Sequence, residues 1–149
     1  MILYIDTSAL VKRYIAETGS EETLALLDKA RVVGAVVVTQ VEMAAALAKA
    51  ARLGWVERSE AHIVWQDFLG HWPAFVRLSV TSGVLALASH LAWQYGLRGY
   101  DALHLAAASS WQDALGETVT LATFDRELWG SARRAGMVVW PENLEAFRP

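Results

Sequence analysis

A chain of 149 residues that is 54% apolar and 19% charged is long enough to bury a core and too apolar to stay disordered. Its formal charge of −3 excludes the globally basic surface that announces a nucleic-acid binder, so such a partner would have to meet local positive patches. The absence of cysteine excludes disulfides, thiolate metal sites and cysteine nucleophiles, and suits a cytoplasmic location.

No apolar segment reaches membrane-spanning length. Met1 runs directly into a strand pattern with no basic n-region, so no signal peptide is expected. A single domain over residues 1–149 is expected. The first five residues are apolar and end at Asp6, which reads as a strand buried on both faces. Leu10, Val11, Tyr14 and Ile15 recur at helical spacing over residues 8–16, and Glu17-Thr18-Gly19 breaks the pattern. Ser20 is a good N-cap for a helix to about residue 30, with Glu21 and Glu22 complementing its dipole. Residues 32–38 are mostly β-branched and apolar, a second strand. Thr39-Gln40-Val41-Glu42 fits a capping box that opens a helix to about residue 52, ended by Gly54. Another helix covers about 56–70, with Trp65, Phe68 and Trp72 forming one aromatic stripe before Pro73. Residues 75–80 read as a third strand and 81–95 as an apolar helix before Gly96. A turn at 97–100 enters a helix ending near residue 115. Residues 118–122 form a fourth strand, 125–135 a helix and 137–140 a last strand before Pro141. Strands alternating with helices predict a mostly parallel sheet covered on both faces. No glycine-rich phosphate loop of either common kind is present.

Four acids fall at element junctions that such a sheet would bring to one edge. Asp6 follows the first strand, Glu42 lies one turn beyond the second, Asp125 follows the fourth, and Asp101 stands at a helix start. Each alone could be a helix cap or a favourable first-turn charge. Together they would crowd like charges, because two carboxylates ~4 Å apart repel by roughly 4 kcal/mol at an effective dielectric of about 20. A divalent cation removes that penalty, and carboxylates with water are what Mg2+ or Mn2+ prefers. No protein nucleophile is evident, so the natural chemistry is attack of a metal-activated water on a phosphodiester, with one ion or two.

The segments Ile5-Asp6-Thr7-Ser8-Ala9-Leu10-Val11-Lys12-Arg13-Tyr14, Val41-Glu42-Met43, Leu97-Arg98-Gly99-Tyr100-Asp101-Ala102-Leu103-His104-Leu105-Ala106 and Thr123-Phe124-Asp125 resemble, in order, those of the PIN-domain nucleases. The similarity is greatest to the VapC-type toxins of toxin–antitoxin pairs. It implies a three-layer α/β/α fold with a five-stranded parallel sheet and Mg2+- or Mn2+-dependent endoribonuclease activity. It also implies that Asp6, Glu42, Asp101 and Asp125 form the acidic site, with Asp6 and Asp101 the most secure ligands. Thr7 or Thr123 would orient ligands or water. The resemblance further implies a homodimer, an RNA substrate and a small antitoxin that covers the site with a basic side chain.

His104 shares a helix face with Asp101 and reads first as a buried, hydrogen-bonded structural histidine. Lys12, Arg13, Arg98 and Arg126 lie near the acidic motifs and are candidate phosphate contacts, with Arg133 and Arg134 further along. Trp65, Phe68 and Trp72 read as core or dimer interface ahead of a base-stacking platform. Three functions compete with the toxin: an RNA-processing PIN nuclease, a non-catalytic PIN-like binding module, and a haloacid-dehalogenase-type phosphatase. The phosphatase needs a second Asp two positions after the first, where this chain has Ser8.

Overall fold

Five short strands carry the architecture: β1 (Ile2–Ile5), β2 (Val32–Val36), β3 (Val76–Leu78), β4 (Val119–Ala122) and β5 (Val138–Trp140). In the computed structural model, which describes residues 1–147, they form one parallel sheet in the order β3-β2-β1-β4-β5. The helices are α1 (Thr7–Leu10), α2 (Ser20–Lys29), α3 (Thr39–Arg52), α4 (Arg58–His71), α5 (Ser82–Tyr95), α6 (Gly99–Leu115) and α7 (Arg126–Arg134).

The central strand shows why the sheet has two covered faces. All four residues of β1 are buried. Successive side chains leave a strand on opposite faces. Ile2 and Tyr4 enter one core with residues of α5, α6 and α7, while Leu3 and Ile5 enter a second with Leu26 of α2, Met43 of α3 and Phe68 of α4. The result is the expected α/β/α sandwich. Among the described residues, no helix is long and apolar enough to cross a membrane.

Several local expectations give way to tertiary demands. The helix expected over 8–16 is instead α1 followed by a 3-10 turn over Val11–Arg13. Tyr14 N and Ile15 N both donate to Val11 O, and Lys12 Nζ ties the following loop back through Glu17 Oε1 (3.0 Å) and Thr18 O (2.8 Å). The second strand stops at Val36, because Val38 already has helical backbone angles and is the N-cap of α3. Thr39 therefore lies inside the helix and makes no side-chain cap, so the expected capping box with Glu42 does not form. The aromatic stripe is core packing: Phe68 and Trp72 are buried, Trp65 stacks on Phe68 at 5.4 Å, and Trp72 sits in a 3-10 turn after α4.

Gly34 marks a close approach between a helix and the sheet. It sits in β2 beneath Trp111 of α6, whose ring atoms lie 2.6 and 2.7 Å from where a Cβ would stand. A glycine in mid-strand weakens the strand, and such close approach is the reason it is tolerated. Gly34→Ala is expected to lower the melting temperature, since overpacking costs about 1–3 kcal/mol and each kcal/mol is worth roughly 2–4 °C at this size. Trp111→Leu in the Gly34→Ala background should recover part of the loss in a circular-dichroism melt. No loss in Gly34→Ala would mean that the indole is free to move aside.

Candidate acidic active site

The strand order reverses at β1. The chain moves outward from β1 to β2 and β3, then returns to lay β4 on the other side of β1. Ligands of open α/β sheets bind outside the carboxyl ends of the strands at such a reversal. Asp6 follows β1 there, and its N–H donates to Ala122 O at 3.1 Å, prolonging the pairing with β4. Thr123 and Asp125 follow β4.

Asp6 is the most enclosed acid, with 4% of its surface exposed. It caps α1: Oδ1 accepts from Ala9 N (3.1 Å) and from Ser8 Oγ (2.8 Å). Oδ2 accepts from Thr123 Oγ1 at 3.0 Å. Thr123 Oγ1 in turn accepts from Asp125 N, and Ser8 Oγ accepts from Phe124 N. Burial pushes the Asp6 carboxyl up to about 6, against the opposing pull of His104 and of the Ser8, Ala9 and Thr123 donors.

Asp125 caps α7, with Oδ1 accepting from Leu128 N at 3.0 Å. Its Oδ2 accepts from Arg98 Nη2 at 2.8 Å, while Arg98 Nε donates to Asp101 Oδ2 at 2.9 Å. One guanidinium thus spans two acids from different helices. Burial raises the Asp101 carboxyl, Arg98 draws it back down, and the neighbouring Asp125 charge adds to the rise. Glu42 Oε1 accepts from Thr7 Oγ1 at 2.9 Å and lies 2.6 Å from His104 Nε2. Burial would raise the Glu42 carboxyl, but the His104 bond and charge together with the Thr7 bond leave it lowered.

The four acids, Thr7 and Thr123 are therefore drawn into linked networks at the carboxyl end of the sheet. His104 is buried, as its apolar neighbours imply, and it also belongs to the site through Glu42. Burial lowers its imidazole pKa, while the Glu42 bond and the charges of Asp6, Glu42 and Asp101 raise it further, for a net rise. Ser8, beside Thr7 at the start of α1, steadies the Asp6 carboxylate as its place just after that acid leads one to expect, whereas Tyr4 reads in the sequence only as packing. Ser8 joins Asp6 to Phe124, and Tyr4 hydrogen-bonds His104 Nδ1 at 2.8 Å. The period of two along β1 was the available signal for Tyr4, because it places residues 4 and 6 on one side of the strand.

The cations separate. Arg98 stands on the acids. Arg126 opens α7 beside Asp125 and pairs with Glu145 at 2.9 Å. Lys12 is held by Glu17 and Thr18 and lies 4.4 Å from the Phe124 ring centre. Arg13 lines a cleft with Arg31, Val32 and Phe75, at the beginnings of β2 and β3, so it faces the opposite edge of the sheet. Arg133 and Arg134 pack over Trp129 and Tyr95.

Four carboxylates are suitable donors for a hard divalent cation. As arranged, no three acid or histidine groups among the described residues stand close enough to hold one ion. Arg98 supplies the positive charge to two of them, and the 74% exposure of its side chain means it can withdraw without unpacking the core. By chemistry these carboxylates are the donor type a hard cation takes, and in this arrangement the Arg98 guanidinium bridges two of them.

The raised Asp6 carboxyl has a consequence for stability. The folded chain holds this proton more tightly than an unfolded chain with a carboxyl near 3.8, so stability falls as pH rises from about 4 to 6. The ionised form costs roughly 3 kcal/mol at neutral pH. Asp6→Asn is expected to melt several degrees higher than the parent at pH 7 in chelator. The gap should close toward pH 4, measured by calorimetry across that range. A gap independent of pH would refute burial as the cause.

The sequence matches the PIN domain family over residues 3–132. It is 38% identical over 148 residues to Ribonuclease VapC45 of Mycobacterium tuberculosis strain CDC 1551 / Oshkosh, covering 97% of this chain and 98% of that protein. The same identity and coverage hold for Ribonuclease VapC49 of strain H37Rv. Among solved structures, FitAcB from Neisseria gonorrhoeae superposes with a TM-score of 0.68 at 19% identity, over 97% of this chain and 99% of that one. VapBC2 from Rickettsia felis, bound to a DNA fragment from its promoter, superposes with a TM-score of 0.63 at 16% identity, over 93% and 97% of the two chains. These likenesses extend along nearly the whole chain, and the chain belongs to the PIN-domain family, among its VapC-type members.

Proposed function

We propose that this protein is a metal-dependent endoribonuclease and the toxin of a toxin–antitoxin pair. The observation that carries the reading is the arrival of Asp6, Glu42, Asp101 and Asp125 from separate elements at the reversal point of the sheet, each already held by named donors. The full-length relatives named ribonucleases support the same reading.

Asp6 and Asp101 would be the main ligands of Mg2+ or Mn2+, with Glu42 and Asp125 completing the acidic set. When bound, the cation supplies Lewis acidity for attack of water on an RNA phosphodiester. The chain's own part is preorganisation. Thr123, Ser8 and the Ala9 amide fix the Asp6 carboxylate, and Thr7 with His104 fixes Glu42. Arg98 is the cation best placed to turn from the acids to a substrate phosphate, with Arg126 beside it. An antitoxin would silence the site by setting a basic side chain against the acids, the kind of contact Arg98 makes within the chain. The active form would be a cytoplasmic homodimer.

Purified protein is expected to cleave RNA with Mg2+ or Mn2+ and to stop in chelator. Asp6→Asn and Asp101→Asn should each reduce cleavage by more than about a hundredfold, beyond the usual loss from an outer-shell partner. Because Asp6→Asn is expected to be the more stable protein, its inactivity would not reflect unfolding. Mapping new RNA 5′ ends in growing cells that express wild type or Asp6→Asn would identify the target. Wild-type cleavage by either variant would remove the assignment.

A further inference from the structure

Two ionisable side chains lie beneath the acidic edge, out of reach of solvent. Tyr4 is fully buried in β1, and His104 of α6 is 2% exposed. Packing alone would be served by phenylalanine at position 4. The hydroxyl instead belongs to a chain of contacts: Val36 N donates to Tyr4 Oη at 3.4 Å, Tyr4 Oη lies 2.8 Å from His104 Nδ1, and His104 Nε2 lies 2.6 Å from Glu42 Oε1. The Tyr4 and His104 rings meet edge to face, with centroids 5.9 Å apart.

The donors and acceptors along this chain have a direction. A backbone N–H can only donate, so the Tyr4 oxygen accepts from Val36. The hydroxyl proton then needs an acceptor, and His104 Nδ1 is the one it meets among the described residues. A neutral imidazole that accepts at Nδ1 carries its proton on Nε2, facing Glu42. The opposite tautomer would set the Nε2 lone pair against a carboxylate oxygen at 2.6 Å and leave the buried hydroxyl proton without a partner. Glu42 depends on this contact, because α3 has no side-chain cap and its carboxylate is gripped from outside the helix, by His104 and Thr7.

We propose that Tyr4 is a positioning residue: acting through His104, it selects the Nε2–H tautomer and so fixes Glu42 for cation binding. The inference rests on Glu42 belonging to the cation-binding set proposed above. Partners that orient a ligand from behind typically change metal affinity by about 10–100-fold when removed. Tyr4→Phe preserves the ring and its packing and removes one hydroxyl.

The test uses the full chain as wild type, Tyr4→Phe, His104→Gln and His104→Leu, with thermal melts to verify folding. Ring 15N spectra at alkaline pH, where the imidazole is neutral, should show His104 of the wild type protonated at Nε2 alone. Tyr4→Phe should shift the Nδ1 resonance, whose hydrogen bond is lost, and weaken the preference for Nε2–H to what the Glu42 contact alone supplies. Mn2+ affinity, read by electron paramagnetic resonance without RNA, should weaken about tenfold in Tyr4→Phe and by more in His104→Leu. His104→Gln should retain most of it, since an amide can accept from Tyr4 and donate to Glu42. Wild-type nitrogen resonances or wild-type Mn2+ affinity in Tyr4→Phe would overturn the proposal. If Mn2+ binding responds as described but no variant and no wild type cleaves RNA, the nuclease reading fails and the positioning role of Tyr4 stands. If the wild type binds no Mn2+, the cation reading and the proposal built on it fall together.

Discussion

The sheet edge is governed by the need to neutralise carboxylates that separate elements deliver to one partly dry place. The protein gives each acid a different counterweight. Asp6, deepest at 4% exposure, has two hydroxyls and a backbone amide. Glu42 has an imidazole and a hydroxyl. Asp101 and Asp125 share a guanidinium on a side chain that is 74% exposed. Neutralisation thus runs from fixed donors inside to a removable cation outside. The inner donors are locked by the core, and the outer one is a surface ion pair whose energy is small and salt-sensitive. A ligand entering from solvent meets the weaker restraint first.

That gradient depends on how closely α6 approaches the sheet. Ala102, Ala106, Ala107 and Ala108 are buried along it, and Ala88 of α5 is buried nearby in the same core. Small side chains let helix and sheet come together, and Gly34 under Trp111 carries the same logic to its limit. At that separation His104 spans from Tyr4 on β1 to Glu42 on α3. A bulkier α6 would lift His104 away from Tyr4 and break the link between the core and the acids. The alanine-rich pattern is therefore part of the site, although none of those residues is polar.

The sandwich was legible because its signals are local and redundant: apolar runs for strands, periodic runs for helices, and Gly96 and Gly136 between them. The acids were legible because charges at the ends of apolar strands are conspicuous. What sequence spacing leaves open is the outcome of competition between roles. Thr39 and Glu42 have the spacing of a capping box, yet Val38 takes the cap and Glu42 turns to Thr7 and His104. Sequence spacing cannot say which of two acceptable partners a carboxylate will choose. Tyr4 was hidden for a different reason, since a tyrosine inside an apolar run looks like packing until its hydroxyl finds a partner 100 residues away. Arg13 was drawn toward the acids by proximity in sequence, but the 3-10 turn at Val11–Arg13 carries its side chain toward the starts of β2 and β3.

Helix cap and site residue are compatible roles for one acid, because a cap can fix a ligand's rotamer, and the atoms show how. A carboxylate has two oxygens and room for about four donors. Asp125 gives Oδ1 to the first turn of α7 and Oδ2 to Arg98. Asp6 gives Oδ1 to the first turn of α1 and Oδ2 to Thr123. The cap fixes the rotamer with one oxygen, and the fixed rotamer aims the other. A short helix such as α1, only four residues long, gains little stability of its own from being capped. Its greater effect is to hold a buried carboxylate, raised to about 6 by that burial, at the point where the sheet reverses.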